Sequence, residues 1–585
     1  MRKKVNEYTL LLVATIVLFL IYIRCVGEIG IFTVLDDEFG YWGVAAYLAG
    51  FDWSKVVSEI PYYSYGYSLV LVPLFWIFEQ ATSMYKAAIV LNGLFLSASF
   101  LLCYNSGKKL LGKEKKPMLL GVAFLIFMYP IYIAYSAIAW PESLLTLVVW
   151  GLVWCFIGLD QQSPYYKFPL IGVLATYSYI IHQRAIGILV ASFITLLVMF
   201  LLNKINKKQL LLAIAPVVLI FIGHYFMKSN LQSGLWLNST GRLANDYRSQ
   251  VRNVSSLLTL NGGIAFLKVL AGHLFYLGAA SLLIVYYGIY RLWKEIKSAS
   301  ETFLGDRRYD LEQPHIFFYV FVLTAFILSL LVSAVFLKNP SRIDHIVYGR
   351  YVEMVIGPVL LIGFIELLTS PPLSKKFRRN VTIAFTLLGA SVYWIIDAYA
   401  FLHFNPLHSV GLLLMLLPFG MILLVVMALL GARILRLTAR TTRKKMCLNL
   451  FLITCLFFAM GNTVRNGIVG LNKERLEIAK HVDFIQSIDE VSPIYYLWNG
   501  ENHPVYDQWD NRLVLDRLPA DLYQFLLLDR QVILIESVAS IKYTGPHFII
   551  ATEYVEHAGF DKTYNLYGVA AGTYLYASEE MRPND

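Results

Sequence analysis

Three adjacent carboxylates, Asp36, Asp37 and Glu38, stand at the start of the stretch DDEFGYWGVAAYLAGFDW, shortly after the first long apolar run of the chain. Clustered like charges raise one another's pKa, and a partly buried carboxylate can serve as a general base. An arbitrary acidic triplet is more often the solvated end of a loop. The residues that follow this triplet favour chemistry over that interpretation.

An amphipathic helix is predicted directly after the acids. Tyr41, Trp42, Val44, Ala45 and Leu48 fall at helical spacing along one face. Such a helix would lie in the membrane interface, where aromatic rings are favoured, and would hold the carboxylates at headgroup depth.

Basic side chains are candidates for binding an anionic group. Arg184 lies beside His182 in YIIHQRAIG, and Arg350 precedes Tyr351 in KNPSRIDHIVYGRYVEM. Arginine binds phosphate through two parallel hydrogen bonds, and a charge at a membrane helix end is costly without a partner. An ion pair between Arg350 and Glu353 that anchors the helix end is an equally good interpretation, and His182 alone is more often structural.

Glu142, in AIAWPESLL, is the only acid of its short loop. The helix dipole would stabilise a carboxylate at that helix start by about 0.3–1 kcal/mol.

The composition indicates that these residues are carried by a membrane protein. Hydrophobic residues make up 58% of the 585 positions and charged residues 15%, with a mean hydropathy of +0.59, whereas soluble domains are about 25% charged. Apolar stretches of about 17–25 residues match the thickness of a bilayer. They predict about thirteen spans, at about 8–27, 84–106, 117–136, 143–159, 168–182, 185–202, 209–227, 263–290, 316–337, 351–369, 381–400, 409–430 and 446–467. The short apolar run at 67–78 is predicted to be interfacial or re-entrant.

The basic residues predict the orientation. Lys and Arg cluster on one side of the predicted spans, at about 2–4, 108–116, 204–208, 291–308, 375–379 and 433–445. By the positive-inside rule this side and the N-terminus are cytoplasmic. The loop 28–66, which carries the acids, is therefore extracytoplasmic. The basic residues that give the net charge of +10 therefore mark the cytoplasmic side of the membrane, and nucleic acid is not expected as a partner.

A second domain is predicted after the last span. Beyond 467 the apolar runs shorten to strand length (PIYYLW, QVILIE, HFIIAT). The predicted fold is a polytopic α-helical membrane protein, with a transmembrane domain at 1–467 and a small α/β extracytoplasmic domain at 468–585. Within the latter, Tyr506 and Trp509 suit stacking against sugar rings, although an ordinary loop is the better interpretation. The five cysteines predict neither a disulfide framework nor a zinc site.

The first loop resembles a known family. Asp37, Glu38 and Tyr41, then Gly50 and Trp53, then PYYSYGYSLVLVPLFW, resemble the start of GT-C glycosyltransferases that use polyprenyl-phosphate sugars. These include the lipid A aminoarabinose transferases and the protein O-mannosyltransferases. The resemblance covers nearly the whole chain in architecture but only short stretches in sequence.

The resemblance implies roles for the candidate residues. Asp37 would take the proton of the acceptor hydroxyl as it attacks the anomeric carbon, and Glu38 would support it. Asp36 is an additional acid that leaves the register open by one residue. The residues implied to bind substrate are Tyr41, Glu142, His182, Arg184, Arg350 and Tyr351. No cofactor is required, although clustered carboxylates also suit a divalent cation.

These expectations lead to one hypothesis and two rivals. The chain is expected to be an inverting glycosyltransferase of the cytoplasmic (plasma) membrane, which moves a monosaccharide from a polyprenyl phosphate to a cell-envelope glycan, lipid or protein at the outer face. The rivals are a transporter or flippase of lipid-linked saccharides and a receptor or scaffold. Transporters usually place charges at mid-membrane and show repeated halves, whereas here the charges lie at helix ends and no halves are apparent. The sugar, the acceptor, the anomeric outcome and the oligomeric state stay open.

Overall fold

The computed structural model of the chain describes residues 6–111, 116–236, 254–305, 315–338, 343–369, 374–397, 428–431, 433–434, 443–488, 491–498, 518–552 and 563–578. Six of the helices in these ranges are long and apolar enough to cross a membrane. Shorter apolar helices of 10–17 residues pack among them. The chain is a multi-pass membrane protein, as its composition predicts.

The helical part begins with α1 (Glu7–Ile23) and a first loop that is itself largely helical. This loop contains α2 (Leu35–Ala49) and the short α3 (Ser54–Val57), and leads into α4 (Ser68–Ile77). The next helices are α5 (Ala81–Leu111), α6 (Lys116–Phe127), α7 (Pro130–Tyr135), α8 (Glu142–Phe156), α9 (Lys167–Ile181), α10 (Ile186–Leu201) and α11 (Lys207–Leu235). The later ones are α12 (Leu260–Ala280), α13 (Ile284–Gly305), α14 (Ile316–Phe336), α15 (Glu353–Thr369), α16 (Lys375–Asp397) and α17 (Arg443–Leu476).

Two predicted helices are each interrupted. The predicted helix at 263–290 consists of α12 and α13, because Leu282 and Leu283 adopt the left-handed conformation with φ of 53° and 66°. The predicted helix at 117–136 consists of α6 and α7, and Pro130, which has no backbone N–H to donate, opens the second piece. Apolar composition does not distinguish a broken helix from a continuous one. The number of thirteen spans stays a prediction, and most of the predicted span at 409–430 lies outside the described residues.

The last long helix connects the two parts of the chain. α17 continues to Leu476, so the predicted boundary after residue 467 falls inside this helix. Its Arg465 donates a hydrogen bond to the carbonyl of Ile21 at 2.6 Å, and Asn472 accepts one from the backbone N–H of Gly30 at 2.8 Å. These contacts fix the chain between α1 and α2.

A small mixed sheet forms the C-terminal sheet domain. Its elements are α18 (Ala479–Ile488), β1 (Ile494–Leu497), α19 (Leu518–Leu527), β2 (Val532–Ile535), β3 (Phe548–Ala551), β4 (Tyr564–Ala570) and β5 (Thr573–Ser578). The strand order is β2-β1-β3-β5-β4, with β1 parallel to β2 and β3 and the other pairs antiparallel. Strands β4 and β5 are joined at Ala571 and Gly572, both with positive φ as a type I′ turn requires. The three predicted strands are present, while Tyr506 and Trp509 lie outside the described residues.

Candidate active site

The three acids lie in the first turn of α2 rather than in a loop ahead of it. The partial positive charge at a helix N-terminus favours carboxylates there. The predicted helix is present, but Tyr41, Trp42 and Val44 are fully buried and α2 packs against α4 and α19. α2 is therefore covered by protein and is not a helix with one polar, solvated face.

Glu38 is buried and fully hydrogen-bonded. Its Oε1 accepts the backbone N–H groups of Thr33 at 2.6 Å and Val34 at 2.7 Å. Its Oε2 accepts the Tyr85 hydroxyl at 2.7 Å and the backbone N–H of Ala139 at 3.0 Å. Burial raises the pKa of Glu38 to about 7, although all four donors favour the charged form. The carboxylate thus ties the start of α2 to α5 and to the loop before α8.

Asp37 has a different environment from its neighbour. It is 29% exposed and forms an ion pair with Arg350 through Oδ2. Its Oδ1 accepts the hydroxyl of Tyr63 at 2.6 Å. Burial and the charge of Asp37 hold the pKa of Tyr63 well above its usual range, so this hydroxyl remains a donor. Asp36, one residue earlier, is partly exposed.

Gly40 allows Tyr63 to reach Asp37. A Cβ at Gly40 would lie 2.1 Å from Cδ2 of Tyr63, so the tyrosine ring rests directly on the backbone of α2. Since Asp37 and Gly40 are three residues apart, they lie on the same face of the helix. No residue other than glycine leaves room for the ring in this place.

Two arginines share one buried carboxylate. Glu142, which opens α8, is 3% exposed, and its Oε1 contacts both Nη2 of Arg184 and Nε of Arg350. Arg350 also lies 4.0 Å from the ring centre of Trp140. Asp37, Glu142, Arg184 and Arg350 are called the charge network below. With two carboxylates and two guanidinium groups, its formal charges cancel.

Aromatic rings line the charge network. The guanidinium of Arg184 lies 5.1 Å from the ring centre of Tyr351, and His182 is 6.4 Å from Tyr351 and 6.5 Å from Tyr41 by ring centres. Nδ1 of His182 accepts the backbone N–H of Arg184 at 3.2 Å, which leaves the proton of the neutral ring on Nε2. The structure thus brings together all the predicted substrate-binding residues, from four segments of the chain.

Three buried polar atoms of these residues have no hydrogen-bond partner among the described residues. They are the hydroxyl of Tyr41, Oε2 of Glu142 and Nε of Arg184. Buried polar groups in native proteins nearly always have a hydrogen-bond partner. Two of them belong to the charge network and the third lies beside it, an arrangement typical of a site that a polar ligand completes.

Several residues of the site carry no signal of their own in the sequence. Tyr63 and Trp140 contact Asp37 and Arg350, and only the aromatic composition of their loops could have pointed to them. The alternative interpretation of Arg350, an ion pair with Glu353, is wrong. Glu353 accepts the hydroxyls of Tyr135 and Tyr276 instead.

Among the described residues, no group of three or more His, Cys, Asp or Glu side chains is placed to hold a metal ion. Asp37 and Glu38 contact separate partners instead of converging. The divalent cation considered from the sequence stays an untested expectation.

No protein-family model matches the chain, and no curated protein matches it. Solved structures do. The crystal structure of ArnT from Cupriavidus metallidurans bound to undecaprenyl phosphate aligns with a TM-score of 0.51 at 11% identity, over 98% of this chain and 99% of that chain. The apo form of the same protein aligns with a TM-score of 0.50 at 13% identity, over 99% of both chains. This chain has the GT-C fold.

The GT-C fold confirms the predicted fold class, a helical membrane protein followed by a small C-terminal sheet domain. A likeness at this identity establishes the fold alone. What the charge network does in this chain is therefore argued from its own residues.

Replacing Glu38 by Gln should destabilise the protein. The carboxylate of Glu38 accepts hydrogen bonds from backbone N–H groups and a hydroxyl, whereas the NH₂ group of a glutamine can only donate. The donors facing that NH₂ group would lose their acceptor, and leaving buried donors unpaired costs about 1–3 kcal/mol. Thermal unfolding of the purified protein in detergent should show a lower midpoint for Glu38→Gln. Glu79→Gln, at an exposed position, should match the wild type. Equal midpoints for both variants would contradict the anchoring role.

Replacing Gly40 by Ala should also lower the unfolding midpoint, against the intrinsic preference of helices for Ala over Gly by about 1 kcal/mol. The cause is the collision of the new Cβ with Tyr63. Gly121→Ala in α6 is the matched control, because no atom lies within 4 Å of its Cβ position. A gain in stability at both positions would show that Tyr63 does not need the space.

Proposed function

We propose that the chain is an inverting glycosyltransferase, which moves a monosaccharide from a polyprenyl-phosphate donor to a hydroxyl of a cell-envelope acceptor at the outer face of the cytoplasmic membrane. The observation that carries the proposal is the charge network, in which a partly exposed carboxylate and two buried guanidinium groups meet at helix ends. The GT-C fold supports it. The undecaprenyl phosphate bound to ArnT supports a lipid phosphate as the leaving group.

Asp37 is the proposed base. It is exposed enough to meet an acceptor hydroxyl, whereas all the oxygens of Glu38 are occupied by donors. In the reaction the acceptor oxygen attacks the anomeric carbon, its proton passes to Asp37, and the bond from the anomeric carbon to the phosphate oxygen breaks. The hydrogen bond from Tyr63 orients the carboxylate for this step.

Arg184 and Arg350 are the proposed phosphate ligands. A leaving phosphate develops negative charge, and preorganised guanidinium groups in a site of low dielectric stabilise it strongly. Nε of Arg184 has no partner among the described residues and is available for such a contact. Arg350 is held between Asp37 and Glu142 until an anion competes for it.

This competition links donor binding to the strength of the base. When Arg350 turns towards the phosphate, Asp37 loses a cationic partner and becomes a better proton acceptor. Glu142 keeps both guanidinium groups at the site throughout, since its Oε1 contacts each of them. The base is thus activated when the donor is in place.

The rings beside the network suit a sugar. Tyr41 and Tyr351 present aromatic surface, and the hydroxyl of Tyr41 is buried without a partner among the described residues. Nε2 of His182 carries a proton that it can donate to a sugar or phosphate oxygen. These groups are the proposed contacts to the transferred monosaccharide.

Asp37→Asn should abolish transfer, because an amide cannot accept the proton. General-base catalysis contributes about 10²–10⁴-fold, so the rate of transfer should fall by at least about 100-fold. The measurement is release of sugar from a panel of polyprenyl-phosphate monosaccharides by purified protein. Full activity in Asp37→Asn together with loss of activity in Asp36→Asn would assign the base to Asp36. Full activity in both variants would show that neither aspartate is the base.

Arg350→Lys should lower kcat/KM by about 10- to 100-fold, because an ammonium group cannot contact two carboxylates or a phosphate through a planar fork. Kinetics against donor concentration in the same assay would measure the loss. Lys86→Arg, at a position on α5 outside the network, is the control for exchanging the two cations. Wild-type kinetics in Arg350→Lys would indicate that Arg350 only anchors the helix end.

A further inference from the structure

One ring of the C-terminal sheet domain lies among the aromatic residues of the first loop. Phe525, near the end of α19, is fully buried. Its ring centre is 4.4 Å from that of Phe32, 5.0 Å from Trp42 and 6.3 Å from Trp53. A fourth ring, Tyr85 of α5, lies 6.4 Å away.

Each of these four rings belongs to α2, the helix that carries the acids, or lies beside a ring of that helix. Trp42 belongs to α2 itself, and Phe32 precedes its first turn. Trp53 stacks on Phe39 of α2 with ring centres 5.8 Å apart and planes within 2°. Tyr85 donates its hydroxyl to Glu38 at 2.7 Å. Phe525 therefore touches the same group of side chains that fixes the orientation of α2.

A hydrogen bond beyond the end of α19 fixes the same contact. Nε1 of Trp53 donates to the carbonyl of Leu528 at 2.8 Å. Leu528 adopts the left-handed conformation, with φ of 46°, which is uncommon for a residue that has a Cβ. Gln531 donates to Asp52 at 3.2 Å beside it. The end of α19 is thus attached to the first loop both by a ring and by its backbone.

We infer that Phe525 is a positioning residue for the base, through which the C-terminal sheet domain holds α2 and Asp37 in register with Arg350. This inference rests on the proposed function for its catalytic consequence, but not for its structural one. If the ring is removed, α2 loses the packing on its α19 side while Glu38 still anchors its first turn. Asp37 then shifts relative to the guanidinium groups, which belong to other segments.

Phe525→Ala should lower kcat while leaving the KM for the donor nearly unchanged. Arg184 and Arg350 would bind the donor phosphate and do not touch Phe525, so the donor KM should stay within about twofold of the wild type. Asp37 acts in the chemical step, and a displacement of about 1 Å can cost about 100-fold, so kcat should fall by about 10- to 100-fold in Phe525→Ala.

Hydrogen exchange measured by mass spectrometry on the full-length protein tests the structural part without any substrate. Peptides from residues 35–49 should exchange about tenfold faster in Phe525→Ala than in the wild type. Phe484→Ala is the matched control, because this ring lies 4.6 Å from Tyr567 within the C-terminal sheet domain. It should leave exchange at 35–49 and kcat unchanged.

Phe525→Leu keeps most of the buried volume and gives a second reading if the alanine variant does not fold. It should restore most of kcat and slow exchange at 35–49 towards wild-type values. Wild-type exchange and kcat in Phe525→Ala would overturn the inference, and so would equal changes in Phe484→Ala. If the wild type releases no sugar from any donor, the proposed function fails, while exchange at 35–49 still decides the positioning role.

Discussion

The site depends on one carboxylate that two buried guanidinium groups share. Arg184 and Arg350 are 2% and 4% exposed, and an isolated charge in such a place costs several kcal/mol. Glu142 offsets that cost for both, which is why the segments that carry them must meet at the start of α8. Asp37 completes the balance of charge from α2. Removing one partner would leave an uncompensated buried charge, so the four side chains act as a unit.

Close approaches of backbone and aromatic rings support this network. Gly349, immediately before Arg350, lets the ring of Tyr276 pass, because a Cβ there would lie 1.9 Å from Cε1 of Tyr276. The hydroxyl of Tyr276 then reaches Glu353, which fixes the turn that presents Arg350. Gly40 does the same for Tyr63 and Asp37. On both sides of the ion pair, a glycine and a tyrosine determine where the charged side chain points.

The sequence predicted the charged residues of the site better than the aromatic residues that hold them in place. Asp37 and Arg350 could be found, although they are 313 positions apart, because a charge at a membrane helix end is costly without a partner and because basic residues are scarce on the predicted extracytoplasmic side. Tyr63 and Phe525 could not, because aromatic residues are frequent in this chain and their partners are set by tertiary packing. The apolar pattern predicted helices but not the break at 281–283, since a left-handed Leu has no signature in composition.

Adjacent carboxylates in one helical turn have different tasks because their surroundings differ. Glu38 is buried and accepts hydrogen bonds from four donors, whereas Asp37 is partly exposed and pairs with Arg350. In the proposed mechanism, Asp37 is a weak base while Arg350 neutralises it, and becomes a stronger one when Arg350 contacts the phosphate. The acid triplet is therefore not a pooled negative charge. Glu38 anchors the helix beside Asp37, the proposed base, and the proposed reaction depends on Glu38 only through the orientation of α2.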